Sequence, residues 1–124
     1  MWEDAGIVRD AASLARAKGT LDELDAELDT IGVAGDNLAY NLTWHDWLNL
    51  KNLILVSKSV VAAATAREDS RGAHFRADYP DVRDLENSTY TVVRLKEGEI
   101  TLGTEPVDFS RVKPGETLLD ESAA

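Results

Sequence analysis

The sequence contains no cysteine. This absence excludes disulfides, thiolate metal sites, thiol nucleophiles and cysteine-ligated iron–sulfur clusters from the chain. Histidine is almost as scarce, since only His45 and His74 are present and they lie far apart in the sequence. Two separated histidines without a thiolate do not make a zinc site. The sequence therefore predicts no metal site.

Basic residues are also few. The chain has 13 Lys and Arg against 23 Asp and Glu, which gives a formal net charge of −10 and a pI near 4.5. Nucleic-acid binding requires clustered Lys and Arg to neutralise phosphates. An acidic surface also disfavours anionic lipid headgroups. We expect no nucleic-acid partner.

No stretch of the sequence is both long enough and apolar enough to span a membrane. The most apolar window, residues 47–66, contains Lys51, Lys58 and several amide and hydroxyl side chains, which make insertion costly. Acids at Glu3 and Asp4 stand where a secretory leader has a basic region. We expect no direct membrane insertion and a cytoplasmic location. A Gly-x-Gly-x-x-Gly fingerprint is missing too, so no cradle for dinucleotide phosphates is predicted.

What the sequence does have is apolar periodicity. Hydrophobic residues make up 44% of 124 residues, which suits one domain with a modest core. A first helix is predicted over about residues 3–31. Its stripe keeps one phase across Gly19, although residues 20–23 also match a capping box, and a single glycine costs a helix only about 1 kcal/mol. The stripe consists of Ile7, Ala11, Leu14, Ala17, Leu21, Leu24, Leu28 and Ile31.

A second helix is predicted over about residues 43–69, and it is apolar around most of its circumference. Leu55 and Val56 lie outside its main stripe, so the helix must be covered on more than one side. The acidic first helix offers only one narrow seam. We therefore expect a further covering surface, either another part of a larger protein or a second copy of the chain. The predicted core positions are Leu50, Leu53, Ile54, Val60, Val61 and Ala64.

The last third predicts a loop, a hairpin and a tail. Residues 70–80 are rich in loop formers. A β-hairpin is expected over about residues 88–103, with its turn at residues 96–99. Residues 104–124 are expected to form an extended tail that frays over 120–124. The predicted fold class is mainly α, an antiparallel helical bundle with a C-terminal β-hairpin and tail.

Residues 67–80, REDSRGAHFRADYP, carry a resemblance to a known family. They resemble the pattern R-E-E-S-R-G-A-H-x-R-x-D-x-P of the flavoprotein superfamily that includes succinate dehydrogenase and fumarate reductase flavoprotein subunits and L-aspartate oxidase. Asp69 stands where that pattern has Glu. Weaker resemblances occur at residues 1–9, at residues 48–53, where Asn49 replaces an acid, and at residues 102–107. The resemblance extends over nearly the whole chain.

The resemblance implies a parent flavoprotein with an FAD-binding domain, a capping domain and this C-terminal helical domain. In such a parent, FAD passes hydride to or from a four-carbon dicarboxylate, and the catalytic and substrate-binding groups belong to the first two domains. The expected function is that of a structural and interdomain domain, with no catalytic residue, no FAD and no activity of its own. Expected partners are the FAD-binding and capping domains and an iron–sulfur subunit, which would place the parent at the inner face of the membrane.

Two alternatives remain open. In the first, the parent is an L-aspartate oxidase, a family that shares the pattern of residues 67–80. In the second, the chain is a free-standing acidic helical interaction module that forms a homodimer through its apolar helix. The hairpin favours the succinate and fumarate branch.

The candidate site residues are Arg71, His74, Arg76 and Asp78. The arginines carry planar donor forks that suit carboxylates of a neighbouring domain, and His74 can hydrogen-bond across such a joint. The role expected for the four is interdomain or close to the active site. The competing interpretation is that Arg71 and Asp78 fix the loop to the end of its own helix, while Gly72 supplies a backbone conformation that other residues resist.

His45 and Asp46, between Trp44 and Trp47, resemble a metal or general-base site only superficially. We favour a structural role, in which Asp46 is a charge in the first helical turn and the tryptophans pack.

Overall fold

The computed structural model describes residues 1–37 and 39–117. Within them it contains two helices and two small two-stranded sheets, which confirms the expected helical domain with a C-terminal hairpin. The elements in chain order are β1 (Val8–Arg9), α1 (Ala11–Ile31), α2 (Leu42–Ala66), β2 (Phe75–Arg76), β3 (Thr89–Lys96) and β4 (Glu99–Pro106).

Helix α1 runs without a break through Gly19, as its apolar stripe predicts. It begins eight residues later than expected, because Asp10 caps it. The Asp10 carboxylate accepts the Ser13 N–H, and the Ser13 hydroxyl in turn accepts the Asp10 N–H. This reciprocal pair of hydrogen bonds fixes the start of the helix at Ala11. Placing Ile7 on the helical stripe was therefore wrong, and that side chain is exposed.

Helix α2 is capped at Asn41, whose side chain accepts the Trp44 N–H, and it ends three residues earlier than expected. Because the helix starts at Leu42, no acid lies in its first turn, and the expected role of Asp46 as a charge there was wrong. Trp47 has a specific task, since its indole N–H donates to the Leu28 carbonyl at 3.1 Å, near the end of α1.

The two helices pack antiparallel. Lys58 and Lys51 of α2 bind acids progressively later in α1, Asp22 and Asp25 for Lys58 and then Asp25 and Asp29 for Lys51. The N-terminal end of α1 therefore lies beside the C-terminal end of α2. The main buried cluster consists of Ala5, Leu14, Ala17, Leu21, Val61 and Ala64.

One side of α2 is left uncovered by the described chain. Leu53, Val56 and Val60 share this side at helical spacing and are 62%, 59% and 44% exposed. We call these three residues the open face. Of the predicted core positions, Ile54, Val61 and Ala64 are buried, whereas Leu50, Leu53 and Val60 are not. Among the described residues, no helix has the length and apolar character that crossing a membrane requires.

The C-terminal hairpin forms where expected. Glu97 and Gly98 lie between the strands with φ of 54° and 86°, which makes the connection a type I′ turn. Strand β4 continues to Pro106, three residues beyond the expected end, because β3 pairs with it along its full length. The tail was expected from residue 104, so its start belongs to β4. The expected fraying over 120–124 lies outside the described residues.

No local sequence pattern predicts the parallel pairing between β1 and β2. Val8 is paired with Phe75, the Phe75 N–H donates to the Ile7 carbonyl at 3.1 Å, and the Ala77 N–H donates to the Arg9 carbonyl at 2.8 Å. This pairing holds residues 67–80 against the chain that leads into α1.

Candidate functional site at the ends of the two helices

Residues 67–80, which we call the signature segment, leave the end of α2 and return to the start of α1. A tight turn begins the segment. The backbone groups of Arg71 and His74 exchange hydrogen bonds of 2.9 and 3.0 Å, and Gly72 between them has φ +56°. Glycine adopts this left-handed conformation at little cost, whereas a side chain there is strained.

Arg76 closes the C-terminal end of α2. Its side chain is only 2% exposed, and Nη1 donates to the carbonyls of Ala64, Thr65 and Arg67 at 2.9, 3.2 and 3.1 Å. The last carbonyls of a helix have no partner within it and form the negative end of its dipole. A buried cation satisfies both requirements.

Asp78 joins Arg76 to the other helix. Its carboxylate accepts Nε and Nη2 of Arg76 at 2.8 and 2.7 Å, and it also accepts the Ala11 N–H at 3.0 Å, at the start of α1. The bidentate hydrogen bond from Arg76 is the main cause that lowers the pKa of Asp78 to about 2. The ion pair thus places a cation at the end of α2 and an anion at the start of α1, as both helix dipoles favour.

Ser70 and Tyr79 complete the interior of the segment. The buried Ser70 hydroxyl accepts the Arg76 N–H at 2.8 Å and donates to the Tyr79 carbonyl at 2.8 Å. The Arg76 guanidinium lies 4.9 Å from the centroid of the Tyr79 ring, within cation–π range. Neither residue was a sequence candidate. The family pattern specifies a serine at Ser70 but leaves the position of Tyr79 variable.

Asp69 and Arg71 connect the segment to the chain that precedes the hairpin. Asp69 accepts a hydrogen bond from Nε of Arg67 at 2.6 Å and forms an ion pair with Arg71, whose Nε lies 2.8 Å from its second oxygen. Burial acts to raise the pKa of Asp69, but the hydrogen bond from Arg67 and the two positive charges outweigh it and leave the pKa lowered. Arg71 also donates to the carbonyls of Val82 and Asp84 and to the hydroxyl of Ser88.

His74 lies beside a cation that sequence reasoning missed. Its Nδ1 is 3.4 Å from Nη1 of Arg9, and its Nε2 is 3.3 Å from the Arg67 carbonyl. Burial is the main cause that lowers the pKa of His74, and the charge of Arg9 adds to it. A neutral ring that donates to Arg67 and accepts from Arg9 fits this geometry.

The structure brings all four sequence candidates together, within one segment. Arg71, Arg76 and Asp78 bind groups of this chain, while His74 lines an open cavity with Arg9. Their interdomain role stays a prediction.

His45 and Asp46 lie apart from the segment, in α2, where the His45 ring makes a T-shaped contact with Trp44. Residues 1–37 and 39–117 contain no group of three or more side chains placed to hold a metal ion.

Comparison with known proteins agrees with this pattern. The family model described as "Fumarate reductase flavoprotein C-term" matches residues 1–118. The chain is 33% identical over 115 residues to the fumarate reductase flavoprotein subunit of Mycobacterium tuberculosis, which covers 92% of this chain and 20% of that protein. It is 31% identical to the succinate dehydrogenase flavoprotein subunit of Rickettsia conorii, over 100% of this chain and 20% of that protein.

An L-aspartate oxidase and a solved structure are also similar. The Yersinia pestis L-aspartate oxidase is 37% identical over 75% of this chain and 16% of its own length. The structure of Mycobacterium smegmatis Sdh1 in complex with UQ1 superposes with a TM-score of 0.63 and 32% identity, over 82% of this chain and 17% of that one. The chain thus spans about a fifth of the curated relatives it matches. It belongs to the fumarate reductase flavoprotein C-terminal domain family.

Proposed function

We propose that this chain serves as the C-terminal structural and interdomain domain of an FAD-dependent dicarboxylate oxidoreductase of the succinate dehydrogenase and fumarate reductase type. The open face of α2 carries this proposal, because three large apolar side chains on a well-formed helix are left in water. Such a face fits a domain interface. In the parent, α1 and α2 would join an antiparallel bundle with helices or loops that cover this face.

The proposed partners are the FAD-binding and capping domains of the parent. FAD and the groups that act on the dicarboxylate would belong to those domains, and this domain would contribute shape and stability. An iron–sulfur subunit is the proposed electron partner of the parent, which would lie on the cytoplasmic side and be peripheral to the membrane. Family membership supports this arrangement.

Within this proposal, the signature segment acts on the interface from inside the domain. Arg71, Arg76 and Asp78 would hold the helix ends and the hairpin in one arrangement, since their donors and acceptors bind this chain. His74 would lie nearest to the neighbouring domain, because it lines an open cavity.

A second candidate parent is L-aspartate oxidase. Identities of 37% and 36% to the Yersinia pestis and Streptomyces coelicolor enzymes equal or exceed those to the fumarate reductase subunits, and this favours keeping it. Tighter co-purification of this chain with the FAD-binding and capping portion of an L-aspartate oxidase than with that of a fumarate reductase subunit would select this candidate.

Co-expression with a relative's flavin portion tests the proposal. The FAD-binding and capping portion of the Mycobacterium tuberculosis fumarate reductase subunit would be produced without its own C-terminal domain. We expect this chain to co-purify with it, and to increase its flavin retention and its succinate or fumarate turnover. Two folded pieces that never associate would contradict the proposal, and a discrete homodimer would favour the interaction module.

A matched pair of variants makes that test specific to the open face. Leu53→Asp places a charge on the open face, whereas Ala15→Asp places the same charge at an exposed position of α1. We expect Leu53→Asp to abolish co-purification and Ala15→Asp to preserve it, with both isolated chains showing the helical content of the wild type. Equal behaviour of the two variants would remove the open face from the interface.

A further inference from the structure

Arg9 differs from the arginines around it in its lack of an acidic partner. Each of the three arginines of the signature segment that surround it binds a carboxylate of that segment. For Arg9 the described ranges, residues 1–37 and 39–117, provide no ion pair at all. Its guanidinium has the 3.4 Å contact with His74, and both burial and the charge of Arg76 lower its pKa. Arg9 is therefore a cation without an acidic partner among the described residues, on a chain whose net charge is −10.

The Nε–H of Arg9 is also an unmet donor. The Nε atom is buried and has no hydrogen-bond partner among the described residues. Leaving a buried donor without an acceptor costs roughly 1–3 kcal/mol, and more for a charged group. Native structures rarely keep such a group unless something else satisfies it.

The cavity at Arg9 has room for an acceptor. It is open, has a volume of about 350 Å³, and is lined by Arg9, Val60, Arg67, His74, Tyr90 and Thr91 among others. A carboxylate entering it would meet Arg9, and none of the described residues on the cavity wall is an acid. The Nη groups of Arg9 can donate to a carboxylate oxygen. A rotation that turns the Nε–Nη edge of the guanidinium toward the cavity would let its fork match both oxygens and would supply the acceptor that the buried Nε–H lacks.

The cavity is continuous with the open face of α2. Val60 belongs to both, and Tyr90 of β3 contributes a second exposed apolar surface at its edge. A cation set in a cavity with apolar and aromatic surroundings is typical of the residues that dominate protein interfaces. The same partner surface that covers Val56 and Val60 can therefore reach Arg9.

We propose that Arg9 receives the carboxylate of an Asp or Glu side chain carried by the FAD-binding and capping portion of the parent. This proposal rests on the proposed function, and it names the chemistry that fixes the register of that interface. The chain spans about a fifth of its curated relatives, so most of the parent surface that could carry this acid lies outside it. A polyanion is a poorer occupant, because the remaining surface is strongly acidic.

Association with the flavin portion of the Mycobacterium tuberculosis relative provides the first test. We expect Arg9→Gln to weaken the complex at least about 30-fold, since truncating one partner of a buried charge pair costs an interface heavily. Arg9→Lys should recover part of this loss, because it keeps the charge without the fork. The control is Arg94→Gln, which removes an exposed arginine that is already paired with Glu105 on the hairpin. It should change the affinity less than about threefold.

Two measurements on the isolated chain separate the possible failures. Arg9→Gln should leave its unfolding midpoint unchanged or slightly raised, because the substitution breaks no ion pair with an acid of the described chain. Titration with acetate, which mimics an acidic side chain, should shift the Arg9 Nε–H resonance in a saturable manner, whereas chloride at equal ionic strength should not.

Each outcome then has one meaning. Equal association of the wild type and Arg9→Gln would overturn the present proposal and leave the proposed function intact. No association of the wild type would overturn both. Loss of association that accompanies a clearly lowered midpoint, without any acetate response, would show that Arg9 is structural and would also overturn the proposal.

Discussion

The signature segment and the open face adjoin at the C-terminal end of α2, and they treat their side chains in opposite ways. In the segment, buried charges and hydroxyls are matched with partners from the same chain, such as Arg76 with Asp78 and Ser70 with Tyr79. On the open face, Leu53, Val56 and Val60 remain between 44% and 62% exposed. The polar groups of the signature segment find their partners within this chain. The apolar side chains of the open face would be buried only against another surface.

This difference shows that a charged motif can have a structural role in place of a catalytic one. A run of arginines and acids such as residues 67–80 invites a catalytic interpretation, because such groups are typical of active sites. Here most of these charges satisfy helix ends and hold a turn, and the surface that remains open for interaction is apolar with one unmatched cation at its edge. The interaction surface that we propose therefore lies next to the motif and only partly in it.

The largest expected effect comes from removing the central cation of the segment. Arg76→Gln leaves Asp78 without its bidentate partner and removes the Arg76 donor from the carbonyls of Ala64 and Thr65 at the end of α2. Removing a buried cation that binds both a carboxylate and helix-end carbonyls costs about 3–5 kcal/mol. Urea unfolding of the isolated chain measures this loss. Arg94→Gln, at an exposed pair, is the control and should cost at most about 1 kcal/mol. Similar losses for the two variants would mean that the segment is not self-sufficient.

The next effect compares the two sides of α2 directly. Ile54 is 3% exposed, whereas its neighbour in the chain, Leu53, is 62% exposed. Ile54→Ala should cost about 2–5 kcal/mol through lost burial and a cavity. Leu53→Ala should change stability by less than about 0.5 kcal/mol, because its side chain is already in water. Urea unfolding of both variants would show whether the open face is uncovered in solution. Equal losses would indicate that self-association covers it.

Local patterns predicted the helices and the hairpin, because the signals act over a few residues. The stripe through Gly19 and the turn at Glu97 and Gly98 are of this kind. The pairing of β1 with β2 had no such signal, because each strand has only two residues and the two strands lie far apart in the sequence. Helical periodicity also continued by chance as far as Ile7, and only the Asp10 cap decides where α1 begins.

The site was harder to predict for a physical reason. The family pattern located Arg71, His74, Arg76 and Asp78, but it did not show which side chains point inward. Arg76 is buried because its position in β2 directs it beneath the end of α2. Arg9 could be identified as a site residue only from the structure, because β1 places it beside His74. Direction and charge matching are properties of the tertiary structure, so a linear motif does not contain them.

A third prediction concerns how the stabilising effect of the Arg76–Asp78 ion pair depends on pH. The pKa of Asp78 is lowered from 3.8 to about 2 in the folded chain, chiefly by Arg76. A lowered folded-state pKa stabilises the fold above the unfolded value, and this contribution is lost as pH falls from about 4 toward 2. The difference in unfolding midpoint between the wild type and Asp78→Asn should therefore be constant near neutral pH and narrow below pH 4. Parallel midpoint curves down to pH 2 would contradict the ion pair.

The smallest expected effect concerns an ion network of the other kind, on the solvated seam between α1 and α2. Lys58 binds Asp22 and Asp25 at 3.0 and 2.7 Å, with all three side chains partly exposed. Burial acts to lower the pKa of Lys58, but the hydrogen bonds to the two acids outweigh it and raise the pKa. Water screens such pairs, so Lys58→Met should cost at most about 1 kcal/mol. Added salt should shrink this loss, because exposed charges are screened, while the loss in Arg76→Gln should persist. A salt-independent loss for both variants would mean that the seam is as well shielded as the signature segment.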